Sequence, residues 1–287
     1  MSKYILHAII QQIWENMNIK YTNWNYKGIG KAERKRLSEI LRNTTATVTA
    51  LEASNTLQMS RQRAAKLLAM YAKKGWLSRI KQGVYIPVPI ESETSDIVPE
   101  DEFVIAEKLF SPCYISGWSA AEYWGMTDQI FRSIIVMTQQ QQKNYQPVIK
   151  GTEYLLHLTK PERFFGLRNI WRNNIKVLVS DPTRTIVDII QNPSLCGGIR
   201  STLDILQNYF FSKEKSIQLC IEYMQQLNNG AVYKRFGYLI EKYFATEQDL
   251  LNECKKRLTA GNAKLDSDLT CNKLVTKWRL LVPENWK

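Results

Sequence analysis

The chain has 287 residues, 44% of them hydrophobic, so it can form two domains and bury sizeable cores. No window contains 18 consecutive apolar residues, and polar His7, Gln11 and Gln12 interrupt the first apolar run, so we expect neither a membrane span nor a signal peptide. The five cysteines are scattered without a C-x-x-C pair, which favours free thiols in a reducing cytoplasm.

The positive charge is concentrated in the first third of the chain. The formal net charge is +12, and residues 1–90 contain 15 Lys and Arg against 4 Asp and Glu. The other 197 residues contain 24 against 23. A basic segment joined to a nearly neutral one is typical of a DNA-binding module attached to a separate domain. A lysine-rich solvated surface is the alternative interpretation.

The first thirty residues predict an N-terminal arm. Ile5, Ile9, Ile13 and Met17 recur at helical spacing, and the pattern breaks at the glycines near residue 30. The pattern indicates no chemistry, so we expect the arm to pack on the body of the protein or on a second copy of the chain.

Residues 31–90 predict three helices followed by a β-hairpin, the order of a winged helix-turn-helix. KAERKRLSEILRN is amphipathic, TVTALEASN follows with Thr47 as a candidate N-cap, and RQRAAKLLAMYAKK is a third helix that begins after Ser60 and ends at Gly75. WLSRI and VYIPVP then predict two strands around Lys81-Gln82-Gly83.

The third helix has the pattern required to read a major groove. Its polar residues lie in the first two turns, and its larger apolar residues, which we expect to be buried together with Ala64, begin at Leu67. The hairpin tip is basic, which suits a phosphate backbone or a minor groove. A winged helix that binds protein is the alternative. The candidate DNA-binding residues are Ser60, Arg61, Gln62, Arg63 and Lys66 on the third helix, Arg79, Lys81 and Gln82 on the hairpin, and Arg42 and Thr49 as supporting phosphate contacts.

Residues 91–99 predict a linker, and residues 100–287 a second domain. The linker ESETSDIVP is acidic and polar. Beyond it, DEFVIAEKLF and SAAEYWG predict helices, FRSIIVMT, YLLHLT and IKVLVS predict strands, and the chain after Asp181-Pro182 is largely helical to about Arg257. The whole chain is therefore expected to be α+β: a winged helix, a mixed α/β region, and a largely helical C-terminal part.

The sequence contains no catalytic constellation. Gly28-Ile29-Gly30-Lys31 lacks the glycine and the Ser/Thr of a phosphate-binding loop. The two histidines, His7 and His157, are far apart, and a zinc site is not expected. Asp181 before Pro182 is interpreted as a helix cap. We therefore expect no enzymatic activity, no cofactor and no metal.

Several ordered segments resemble the AbiEi-type antitoxins of bacterial abortive-infection systems. They are GWLSRIKQGVYIPVP, YISGWSAAEYWGMTDQIFRSIIVMT, VSDPTRTIVDIIQNPSLCGGI and AVYKRFGYLIEKY, and they span roughly residues 45–245. The resemblance implies an N-terminal winged helix that represses its own operon. It also implies a C-terminal domain needed for antitoxin activity and cooperative operator binding. The arm at residues 1–30 departs from the pattern of the family.

The same resemblance implies two partners. One is double-stranded DNA with an inverted-repeat operator, on which the chain would pair as a homodimer. The other is a nucleotidyltransferase-like toxin encoded alongside, which such antitoxins counteract without a stable complex. Two other functions remain open: a DNA-targeted nuclease or nucleotide-modifying enzyme, and a protein–protein adaptor.

Overall fold

The computed structural model describes residues 29–44, 47–88, 101–172 and 175–286. The chain is mixed α+β and divides into two compact units. Among the described residues, the first unit contains 29–41 and 49–88, and the second contains 101–172 and 175–286 together with 42–44 and 47–48. The expected linker at 91–99 and all but two residues of the expected arm at 1–30 lie outside the described residues. None of the described helices has the length and apolar character needed to cross a bilayer.

The three helices expected in the basic segment are confirmed. They are α1 (Lys31–Arg42), α2 (Ala50–Thr56) and α3 (Arg61–Lys73). Ile40 of α1 and Leu68 and Tyr71 of α3 have no solvent exposure, and the Tyr71 hydroxyl donates to the Glu33 carbonyl of α1 at 3.5 Å. Leu67 is only half-buried, although the sequence placed it inside, because the neighbouring Leu68 already occupies the inner face of α3.

The N-cap of α2 differs from the expected one. Thr47 is buried and lies before a short strand, β1 (Val48–Thr49), so α2 begins two residues later than Thr47 would place it. Thr49 is the cap: its hydroxyl accepts the N–H of Glu52 at 3.2 Å, and the Glu52 carboxylate accepts the N–H of Thr49 at 2.8 Å. This reciprocal pair is a capping box, which satisfies two backbone donors at once.

The predicted hairpin is confirmed as β2 (Leu77–Lys81) and β3 (Val84–Pro87). Helix α3 ends before Gly75, whose φ of +80° is a left-handed conformation that glycine adopts at little cost. The chain then enters β2, and β3 returns antiparallel to it. The strand order is β1-β3-β2, so the hairpin continues into a small sheet beside the helices.

The second unit is built on a six-stranded mixed sheet. Two helices, α4 (Glu102–Phe110) and α5 (Gly117–Tyr123), accompany it, as the sequence predicts. The sheet order is β6-β7-β5-β4-β9-β8, in which β5/β7 and β4/β9 are the parallel pairs. The strands are β4 (Cys113–Ile115), β5 (Ser133–Thr138), β6 (Val148–Ile149), β7 (Thr152–Leu158), β8 (Leu167–Arg172) and β9 (Ile175–Ser180).

The predicted helical part of this unit follows β9. It comprises α6 (Pro182–Gln191), α7 (Ile199–Phe211), α8 (Ile217–Leu227), α9 (Gly230–Tyr243) and α10 (Gln248–Lys256). A third sheet then forms from β10 (Ala263–Lys264), β11 (Lys273–Val275) and β12 (Leu280–Val282), beyond the part that the sequence predicted to be helical.

Helix α6 carries a buried ion pair. Asp181 is its N-cap, as expected, and accepts the N–H of Arg184 at 2.7 Å. The side chains of Arg184 and Asp188 are 0% and 3% exposed, with Nε and Oδ1 2.8 Å apart. Tyr114 and Ser116, at the end of β4, bind the same two groups, so the pair fastens α6 to the sheet.

Candidate nucleic-acid interface

The first two turns of α3 present polar side chains to solvent. Arg61, Gln62, Arg63 and Lys66 are all exposed, whereas Ala64, Leu68 and Tyr71 on the other side of the helix are fully buried. Ser60 caps the helix, and its hydroxyl accepts the N–H of Arg63 at 3.4 Å. The remaining first-turn amides and the positive end of the helix dipole lie beside these cations, an arrangement that attracts a phosphate.

The cations of this helix start are unpaired. Within the described part of the chain, the side chains of Arg61, Arg63 and Lys66 make no ion pair or hydrogen bond. From residue 31 to 88 the chain contains 12 Lys and Arg against 3 Asp and Glu. One of those acids, Glu33, pairs with Lys74 beyond the other end of α3. The positive charge at the helix start is therefore not neutralised locally.

The sequence analysis did not single out the rest of the exposed face of α3. Ala69 and Met70 are also exposed. Gln62, Lys66 and Ala69 follow one another at helical spacing, so they share a face. Small apolar side chains on such a face can contact a thymine methyl group. The sequence did not indicate that Ala69 and Met70 are exposed, because exposed apolar residues look like core residues in a sequence pattern.

A tight connection of four residues, 57–60, joins α2 to α3. Met59 donates its N–H to the carbonyl of Ser54 at 3.1 Å, and the Ser54 hydroxyl donates to the carbonyl of Met59 at 2.6 Å. Gln58 adopts a left-handed φ of +50° at the sharpest point. Two helices joined by three or four residues form the usual unit of helix-turn-helix proteins, and here the connection is fixed by its own hydrogen bonds.

The hairpin tip forms a second polar surface in the same unit. Arg79, Lys81 and Gln82 are exposed, and Gly83 takes the left-handed conformation that closes the turn. The register shifts between Arg79 and Lys81, and Arg79 Nε donates to the Lys81 carbonyl at 3.4 Å. Partial desolvation at the turn lowers the pKa of Lys81, although its side chain is exposed, and the negative charge of a phosphate beside it would raise that pKa again.

The two expected supporting contacts occupy different settings. Arg42 is exposed at the end of α1. Thr49 is half-buried, and its hydroxyl is engaged with Glu52 in the capping box, at 2.8 Å from Oε2. A phosphate would therefore compete with the Glu52 carboxylate for the Thr49 hydroxyl.

The residues that could bind a metal ion or act as a catalytic base are dispersed over the described part of the chain. The described residues contain no group of three or more His, Cys, Asp or Glu placed to hold a metal ion. His157 is half-buried, and burial lowers its pKa. His7 lies outside the described residues. The exposed cations of the first unit are therefore the candidate site that the described residues offer.

No known family model matches the chain, and no curated protein matches it significantly.

Proposed function

We propose that residues 31–90 form a winged helix-turn-helix that binds double-stranded DNA, and that the chain is an operon autorepressor and antitoxin. The observation that best supports DNA binding is the arrangement of side chains at the start of α3. Four exposed polar residues, Arg61, Gln62, Arg63 and Lys66, stand there, while the opposite face of the helix is packed on its own unit. A helix held in this way can enter a major groove with its first turns leading.

Base reading is assigned to the arginines and the glutamine of that helix. Arg61 and Arg63 match guanine O6 and N7, and Gln62 matches adenine N6 and N7, each good pair discriminating by about 1–3 kcal/mol. Ser60 and Lys66 are assigned to phosphates. Arg79, Lys81 and Gln82 on the hairpin would hold the backbone or an adjacent minor groove, with Arg42 and Thr49 as further backbone contacts.

The antitoxin role is proposed from the resemblance of the segments at residues 75–89, 114–138, 179–199 and 231–243 to AbiEi-type antitoxins. It assigns the neutralisation of a nucleotidyltransferase-like toxin to the second unit, without a stable complex and without catalysis by this chain. Residues 91–287 contain 24 Lys and Arg against 23 Asp and Glu, a balance consistent with a role other than DNA contact for this part of the chain. On an inverted-repeat operator, two copies would bind as a symmetric pair.

A fluorescence-anisotropy titration tests the DNA assignment. The full chain is titrated into a labelled duplex taken from upstream of its own gene. We expect salt-sensitive binding, and at least about tenfold weaker binding after Arg61→Ala with Arg63→Ala, because two charge-assisted contacts are lost. The control, Lys255→Ala with Lys256→Ala, removes two exposed cations from α10 and is expected to bind normally. Absence of a salt-sensitive signal, or equal binding by both double variants, would refute the assignment.

The antitoxin assignment has a separate test. The chain is co-expressed with the nucleotidyltransferase-like toxin encoded beside it, and growth is followed. Both the wild type and the Arg61→Ala/Arg63→Ala variant should restore growth, since neutralisation is assigned to the second unit. Failure of the wild type to restore growth would overturn the antitoxin role and leave the DNA assignment standing.

A further inference from the structure

A cavity of about 360 Å³ lies in the second unit, outside the elements assigned to DNA binding. One wall comes from the ends of β5 and β7, through Met137 and His157, and another from the end of α6 and the residues after it. Its volume lies in the range of small-molecule sites, which also tend to form at the carboxyl ends of parallel strands.

The cavity carries net positive charge. Lys160 and Arg163 line it, and within the described residues neither side chain makes an ion pair or hydrogen bond. Asp188 is the one acidic lining residue, and it is already balanced, because Oδ1 lies 2.8 Å from Arg184 Nε and Oδ2 accepts the Ser116 hydroxyl at 2.8 Å. Two uncompensated cations therefore face the space.

The positions of these cations are fixed by the backbone. Residues Pro161–Arg163 form one turn of 3₁₀ helix directly after β7 and Thr159. The N–H of Arg163 donates to the Lys160 carbonyl at 3.0 Å, which sets the two residues on either side of this turn. A rigid turn lowers the entropic cost of presenting both cations to one ligand.

The remaining lining combines amides with apolar groups. The side chains of Gln191 and Asn192 make no hydrogen bond within the described residues, although the Asn192 backbone is anchored by its N–H to the Asp188 carbonyl at 2.9 Å. Met137 and Leu195 supply apolar surface. Amides without partners beside apolar side chains suit the polar edge and the flat face of a nucleobase.

We propose that this cavity binds a nucleoside monophosphate, with the phosphate at Lys160 and Arg163 and the base between Asn192 and Met137. Guanidinium and ammonium groups are the usual protein ligands of phosphate, and the space is sufficient for one nucleotide. The site goes beyond the proposed DNA binding and does not depend on it. It gives the second unit a ligand of its own.

Isothermal titration of the full chain tests this site, using the four ribonucleoside 5′-monophosphates and, separately, inorganic phosphate. At least one nucleotide should bind, and more tightly than phosphate. Arg163→Gln should weaken both ligands by about tenfold or more, because it removes a charge-assisted contact. Asn192→Ala should weaken the nucleotide and leave phosphate unchanged.

The matched control is Lys256→Gln, which removes one exposed cation from α10 and should bind as the wild type does. Thermal melting of each variant confirms that it is folded. Absence of nucleotide binding by the wild type would overturn the proposal. So would phosphate binding as tight as nucleotide binding, or equal losses in Arg163→Gln and Lys256→Gln.

Discussion

The ammonium group of Lys74 lies 2.8 Å from Oε1 of Glu33, and this ion pair joins the end of α3 to the first turn of α1. Lys74 also lies over the ring of Trp76, 4.6 Å from its centroid. The pair places one of the few acidic residues of the first unit at the end of α3 opposite Arg61. The start of that helix therefore keeps its positive charge.

A double-mutant cycle should measure a small coupling between these two residues. Glu33→Gln, Lys74→Met and the double variant are compared by urea denaturation. We expect a coupling of about 0.5–1 kcal/mol, because both side chains are about a quarter exposed, and solvent screens their attraction. A coupling of zero would show that the pair does not fasten α3 to α1.

Lys81 at the hairpin tip should act on all DNA sequences alike. Lys81→Gln removes one proposed phosphate contact, so the slope of log K against log salt should become shallower by about 0.9. The expected loss of affinity is the same for an operator and for a scrambled duplex. Lys256→Gln serves as the charge-matched control. An unchanged slope in Lys81→Gln would remove the hairpin tip from the interface.

Replacing only one residue of the buried Arg184–Asp188 ion pair should lower the free energy of unfolding. Arg184→Met leaves the Asp188 carboxylate without its cation, so the free energy of unfolding of the second unit should fall by about 3–5 kcal/mol. Removing both charges in Arg184→Met with Asp188→Leu should cost less than that single change. The midpoint of urea unfolding, followed by circular dichroism, distinguishes the two. A double variant less stable than the single would contradict a purely electrostatic cost.

His157 should make stability depend on pH in the weakly acidic range. Burial lowers its pKa below 6.5, so the unfolded chain takes up a proton before the folded chain does. The free energy of unfolding should therefore decrease as the pH falls through 6.5 toward the lowered pKa. His157→Gln should flatten this part of the profile. The same slope in wild type and variant would assign it to other groups.

Local patterns predicted much of the fold. Ser60 and Gly75 marked the ends of α3 because capping and left-handed termination depend on one or two residues. The Asp181-Pro182 cap was equally readable. The predicted cap of α2, Thr47, lies two residues before the observed cap, Thr49. A threonine can cap a helix at either position, and the sequence did not show that Thr47 is buried.

Features made by distant residues could not be predicted. The third sheet pairs Ala263 with Leu280 and Lys273 with Val282, through strands of two or three residues that leave almost no periodic signal. The cavity of the second unit brings Lys160 and Arg163 to residues some thirty positions later, at the end of α6. The polar residues at the start of α3, by contrast, are close together in the sequence. Helical periodicity alone was therefore enough to predict that they are exposed.

The most direct test of the central claim is the ratio of affinities for the operator and for a scrambled duplex of equal length, measured by competition at fixed salt. If α3 reads bases, the wild type should prefer the operator, and Arg61→Ala with Arg63→Ala should bring the ratio close to one. The Lys255→Ala/Lys256→Ala control should retain the wild-type ratio. A ratio that the Arg61/Arg63 double variant leaves unchanged would contradict base reading by this helix.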